Sequence, residues 1–229
     1  MATILLGACP YDPSTRYGYA YLKYLGRLLS TAHKIVVLRH ANLPEFRYVL
    51  KTYDPQLVVL NGHGGAKGVT GCNGNVILGI KGYDPDLNVT IYRENAHWMQ
   101  GRLVYLFTCH TGKELAPLLV DYGAVAVAAF KDAFLFLTDD KTNALKDKSA
   151  KPFFTAALQL PIHLALGRTW GESCEAVKNA FLYYVEKYER LGQEETAKYL
   201  WFNYVNFVCY GDVEARLTGW ESARRSLLV

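Results

Sequence analysis

Leu57-Val58-Val59-Leu60-Asn61-Gly62-His63-Gly64-Gly65 and Arg102-Leu103-Val104-Tyr105-Leu106-Phe107-Thr108-Cys109-His110-Thr111-Gly112 are the stretches whose reading decides the fold. Each opens as a continuous apolar run rich in strand-forming side chains, the pattern of a strand buried on both faces. Each closes on small or turn-forming residues beside one side chain capable of chemistry, His63 or Cys109. Strands of this kind belong to parallel sheets covered by helices, and such open sheets carry their sites at the carboxyl edge. As neighbours in one sheet, the two runs deliver His63 and Cys109 together at that edge.

That juxtaposition makes a cysteine–histidine dyad. A thiol with a pKa near ~8.5 is only a few per cent thiolate at neutral pH, so it needs an imidazole to take its proton and return it to a leaving amine. Glycines on both sides of His63 let a substrate backbone approach without meeting a Cβ. The N–H groups of Gly64 and Cys109 are the expected oxyanion donors. A helix beginning at Thr111 is expected to bring its positive end to Cys109 and favour the thiolate.

Outward from these runs, the pattern alternates strand and helix. Thr3 to Ala8 and Lys34 to Leu38 read as strands, with helices over Tyr17 to Ser30 and Leu43 to Tyr53. Gly64 to Asp86, rich in glycine and asparagine, reads as one or two small hairpins above the sheet edge. Tyr92 to Gln100 is a short helix, Lys113 to Tyr122 another, and Ala124 to Ala129 the fifth strand. Lys131 to Lys151 is polar and reads as a solvated loop bordering the site. Helices follow at Pro152 to Leu166 and Glu172 to Arg190, then a last strand from Trp201 to Tyr210 and a charged, helical tail from Glu214. Short connections between alternating elements predict a parallel sheet with right-handed crossovers.

Composition bounds the rest. At 229 residues, 51% hydrophobic and 20% charged, the chain suits one α/β domain with a substantial core. The net charge of +4 is spread rather than clustered, which gives no footprint for nucleic acid. No segment is long and apolar enough to span a membrane, and the first residues lack a signal-peptide pattern. Five cysteines, an odd number without repeating spacing, predict a single unpaired reactive thiol in a reducing compartment rather than a disulfide framework, hence a cytoplasmic location. Only two methionines and four glutamines suit a thermophile.

At these residues the chain resembles the caspase-like cysteine peptidases, the group of caspases, metacaspases, clostripain and gingipains. An apolar strand ending in His63-Gly64 and another ending in Cys109 after a small residue match their signature, and the 46-residue separation is close to the roughly 50 of caspases. Cys109-His110-Thr111-Gly112 is similar to the Cys-His-Ser-Gly of metacaspases, and Phe207-Val208-Cys209-Tyr210-Gly211-Asp212 to the last core strand and turn of gingipain-like domains. The resemblance implies a caspase-like three-layer α/β/α sandwich with a mostly parallel six-stranded sheet over residues 1–213, with 214–229 as a tail. It implies a cysteine endopeptidase acting on a peptide or protein through an acyl-enzyme, with no cofactor, although some relatives use calcium. Asp12 and Phe107 fall where relatives line the primary substrate pocket. Phe107 replaces the acid that binds basic side chains in metacaspases, so a preference for Arg or Lys is not implied. Autocleavage within Lys131–Lys151 would follow several relatives.

Other readings compete at single residues. His110, next to the nucleophile, is expected to be structural or rim-lining. Asp12 before Pro13 is also an ordinary turn residue. Asp132, Asp139 and Asp140 could meet calcium or basic side chains. Cys9 and Cys72 with His63 and Cys109 lack zinc-site spacing. The loop holding Lys67 matches neither nucleotide-binding fingerprint, so a nucleotide- or small-molecule-binding α/β domain is the weaker reading there; it and a catalytically inactive caspase-like scaffold that binds a protein partner are the alternatives.

Overall fold

The apolar runs form strands where their pattern predicts them. The computed structural model describes residues 1–139 and 142–218, so Asp140 and the tail beyond Thr218 lie outside the described residues. In chain order the strands are β1 (Thr3–Ala8), β2 (Lys34–Leu38), β3 (Leu57–Asn61), β4 (Gly68–Thr70), β5 (Val76–Gly79), β6 (Gly82–Asp84), β7 (Val89–Ile91), β8 (Leu103–Phe107), β9 (Ala126–Phe130) and β10 (Phe207–Gly211). The helices are α1 (Pro13–Leu29), α2 (Leu43–Tyr53), α3 (Leu115–Asp121), α4 (Lys151–Ala157), α5 (Gln159–Ala165), α6 (Trp170–Arg190) and α7 (Glu194–Asn206).

Six strands share one sheet in the order β10-β9-β8-β3-β1-β2, all parallel except β10, which runs against β9. Side chains alternate between two buried faces: Leu57, Val59, Leu103, Tyr105 and Phe107 pack with α1 and α4 to α7, while Val58, Leu60, Val104 and Leu106 pack with α2 and α3. Helices therefore cover both faces, which is why these strands read as unbroken apolar runs.

Register positions the site. Ala8 pairs with Asn61 and Asn61 with Phe107, so β1, β3 and β8 end at one level. His63 and Cys109 each lie two residues beyond their strand ends. β4–β5 and β6–β7 form the two hairpins expected in the glycine-rich stretch.

Several local expectations are corrected. α1 starts at Pro13 rather than Tyr17, because Asp12 caps it in a reciprocal box with Thr15 and Pro13 takes the first turn. The expected helix from Pro152 to Leu166 is two, α4 and α5. Pro161 has no N–H for Ala157 O, which instead accepts a hydrogen bond from Tyr105 Oη at 3.1 Å. Trp201 to Asn206 is helix, not strand: Ala197, Leu200 and Asn203 are buried at helical spacing, and the Asn203 amide clasps the backbone of Leu135 through both its N–H and C=O. The strand proper begins at Phe207. The stretch after β9 is not simply solvated. Asp147, fully buried, accepts from Tyr17 Oη at 2.6 Å and from the N–H groups of Asp139 and Ala150. Packing also continues past residue 213, since Leu217 is buried in the core beneath α6 and the Trp170 N–H reaches Ala215 O.

The cysteines differ most from expectation. Cys9 joins Cys72 and Cys174 joins Cys209, leaving Cys109 as the free thiol. These partners lie 63 and 35 residues apart, so only the tertiary fold reveals them. The pairing removes both the reducing-compartment argument for a cytoplasmic location and any thiolate metal site at Cys9 and Cys72. Replacing Cys174 and Cys209 together by serine is expected to lower unfolding stability by about 2–5 kcal/mol, read as a lower urea midpoint; an unchanged midpoint would show that the α6–β10 bridge is thermodynamically idle.

Candidate active site

Three close approaches fix the end of β3, two of them against the end of β8 and one against β4. Asn61 Nδ2 donates to Phe107 O at 3.0 Å. A Cβ on Gly62 would lie 2.2 Å from Thr70 O, and one on Gly64 2.3 Å from Cys109 O. Neither position admits a side chain: Gly62 is fixed by the closeness of β4 and Gly64 by that of the Cys109 loop, rather than by unusual torsions. After Gly64, buried Asp84 accepts from the Lys67 N–H and Asp86 from the Ala66 N–H, tying the loop to the β6–β7 hairpin. Lys67 itself is partly buried, its Nζ 4.0 Å from Glu114. A hairpin, not a helix, follows the glycine-rich loop, which is unlike a phosphate-binding turn.

His63 and Cys109 line one cavity of about 50 Å³, together with Ser14, Thr15, Asn61 and an aromatic wall of Phe107, Phe134, Phe136 and Phe154. The imidazole is held from three directions. Its Nε2 meets Asp12 Oδ2 at 2.7 Å, the Tyr11 ring stands edge-on at 5.8 Å, and its backbone carbonyl accepts from the Thr70 N–H and Oγ1. Burial pushes the Asp12 carboxyl up, but hydrogen bonds from the Thr15 N–H and His63 outweigh it and hold the group below the usual carboxylate range. An ionised Asp12 can only accept, so Nε2 carries the proton and Nδ1 is left as the basic atom. Asp12 is thus engaged with the histidine, beside Ser14 and Thr15, which line the cavity. Phe107, by contrast, does line the cavity.

Cys109 is largely buried, and burial pushes its thiol up; the Phe134 N–H, 3.3 Å from Sγ, pulls the other way, and the charges of Asp132 and Asp86 raise it further. The expected helix end is not there to offset this. α3 begins only at Leu115, after a turn through Thr111 to Glu114. These influences together favour the protonated thiol.

The N–H groups of Gly64 and Cys109 meet no protein acceptor among the described residues, as oxyanion donors must. His110 adopts φ +60°, costing about 1 kcal/mol for a side chain with a Cβ, and turns its ring to Asp132 at 3.5 Å and Asp86 at 3.9 Å. It does not line the cavity that holds His63 and Cys109. Asp132 and Asp139 join no cluster of three or more metal donors among the described residues. The Asp12–His63 pair and the walls from Phe134, Phe136 and Phe154 escaped the sequence reading. The Asp12-x-x-Thr15 capping pattern before Pro13 was the available signal for the first; nothing local signals the second.

No protein-family model and no curated protein matches this chain.

Two outcomes follow from this geometry. Gly64→Ala must move the Cys109 carbonyl and is expected to cost about 1–3 kcal/mol and to slow modification of Cys109 at least tenfold, read by thermal melting and iodoacetamide kinetics. In the unaltered chain the rate of Cys109 alkylation should rise with pH through a midpoint above the ordinary ~8.5. Asp132→Asn removes a charge that disfavours the thiolate, so it should lower that midpoint; no change would mean that its charge is not felt at the thiol, and a rise would mean that Asp132 favours the thiolate.

Proposed function

We propose that this chain is a cysteine endopeptidase with the caspase-like three-layer fold, using Cys109 as nucleophile, His63 as base and acid, and Asp12 to position the imidazole. The observation that carries the reading is one cavity shared by a free thiol and by a histidine whose far nitrogen is held on a carboxylate.

In the proposed cycle Cys109 Sγ attacks the scissile carbonyl carbon while its proton passes to His63 Nδ1. Asp12 keeps Nε2–H and offsets the imidazolium charge. The N–H groups of Gly64 and Cys109 receive the oxyanion. The tetrahedral adduct collapses to a thioester as His63 returns the proton to the departing amine. Water, deprotonated by the same Nδ1, then attacks the thioester, and its collapse releases the acid and the thiol. Every proton is thus carried by the chain's own groups.

The aromatic wall and the cavity's small volume support a compact, uncharged side chain next to the reacting carbonyl. The disulfides support a setting in which such bonds persist, either outside a reducing cytosol or inside a hyperthermophile. Among the described residues no helix is long and apolar enough to cross a membrane.

Peptidyl acyloxymethyl ketones bearing Ala, Leu, Arg or Asp at the reacting position test the reading. Labelling should be fastest with Ala or Leu, vanish in Cys109→Ala, fall at least 100-fold in His63→Ala and about tenfold or more in Asp12→Ala. No labelling by any probe, with or without calcium, would sink it in favour of a partner-binding scaffold. A melting rise with ATP or NAD instead would favour a nucleotide-binding domain.

A further inference from the structure

We propose that the Cys9–Cys72 disulfide is a redox-sensitive clamp on the Asp12–His63 pair, so that full activity needs Cys109 reduced while Cys9 and Cys72 remain oxidised. The proposal rests on the catalytic reading of His63 and Cys109 but concerns a different chemical group.

The clamp is read from a short circuit of contacts. Cys9 follows β1 directly and stands three residues before Asp12; Cys72 stands two residues after Thr70 at the end of β4. Between them, Tyr11 Oη lies 3.4 Å from Thr70 Oγ1, and the Thr70 N–H and hydroxyl both donate to His63 O. Asp12 reaches His63 Nε2 from the other side at 2.7 Å. The acid and the imidazole thus hang from two segments that share one covalent tie, the disulfide. Capping α1 fixes Asp12 to its own helix but not to His63. Without the tie, β1 and β3 stay paired up to Ala8 and Asn61, but beyond that pair the Asp12 loop meets the histidine side only through the Tyr11 contacts with Thr70 and the His63 ring and through the Asp12–His63 hydrogen bond itself. The second disulfide, between α6 and β10, touches neither Asp12 nor His63.

The bond is open to attack from one side. Cys9 is buried, whereas Cys72 is partly exposed beside the exposed Asn73 to Asn75. A soluble dithiol attacks Cys72 Sγ through its thiolate, and Cys9 departs as a thiolate and is protonated. The reductant's second thiol then closes on the mixed disulfide, releasing Cys72 as a thiol. Two electrons and two protons pass to the protein, and the dithiol leaves as a cyclic disulfide. A small disulfide oxidant reverses the sequence. Most cysteine enzymes gain activity from added thiol until Cys is fully reduced; here the gain is followed by a loss.

The test is a titration of the full chain in buffers of graded dithiothreitol redox ratio, with alkylation and mass spectrometry reporting each pair. The labelling rate at Cys109 should fall tenfold or more as Cys9–Cys72 opens, and equally so in a Cys174→Ala, Cys209→Ala variant. A Cys9→Ala, Cys72→Ala variant should be slow at every ratio, and adding Asp12→Ala to it should cost nothing beyond Asp12→Ala alone. An activity-independent readout is the downfield imidazole N–H proton resonance of His63 on Asp12, absent in Asp12→Ala. It should disappear on reduction while near-ultraviolet circular dichroism stays native. Absent labelling under oxidising and reducing conditions would count against the peptidase reading alone, since the resonance still reports the clamp. A resonance that persists with Cys9–Cys72 reduced would overturn the proposal. So would its loss only together with the native dichroism, which would assign the disulfide to global stability.

Discussion

The register between β1, β3 and β8 is the constraint on which the site depends. Ala8, Asn61 and Phe107 lie abreast, so the residues just beyond them emerge at one height with their backbones almost touching. A slip of one residue would turn every buried side chain of a strand to the opposite face and is excluded by the two packed cores. The catalytic groups inherit this precision. The contact of Gly64 with the Cys109 carbonyl and of Gly62 with Thr70 leaves no room for adjustment.

Electrostatics assign different work to the partners. Cys109 is surrounded by influences that keep its proton in place, burial first and then the carboxylates of Asp132 and Asp86. Asp12 is placed the other way: hydrogen bonds hold it ionised despite partial burial. The chain does not store a thiolate at rest. What is held in place instead is the imidazole, on the Asp12 carboxylate; in the proposed cycle the thiolate forms only as its proton crosses to His63. A thiol kept in this form is also poorly reactive towards adventitious oxidants, which attack the thiolate.

Much of this was legible in the sequence because the core strands are buried on both faces, and burial leaves a strong compositional mark. The two catalytic strand ends and their small residues belong to that category. What the sequence concealed depends on long-range geometry. Asp12 looks like a turn residue until β1 is laid beside β3. The pairing of Cys9 with Cys72 has no local signature at all. The aromatic wall is drawn from β8, the stretch after β9 and α4, three regions with no common motif. Where helix and strand propensities compete, as in Trp201 to Asn206, the side-chain types favour strand, and the helical spacing of the buried residues decides the outcome.

The antiparallel β10 carries a consequence for biosynthesis. β9, with its sequence Ala-Val-Ala-Ala-Phe, pairs with β8 on one side and with Phe207–Gly211 on the other. On a chain made from its amino end, β9 must wait for all of α4 to α7 to emerge before its second edge is satisfied. For that interval it is an uncharged, apolar edge, the kind that adds strands from other molecules. The helical hairpin of α6 and α7 is local in sequence and can form early, and it delivers β10 directly to the waiting edge. The order of elements thus leaves the β9 edge open during synthesis, and the early α6–α7 hairpin limits how long it stays open once β10 has emerged.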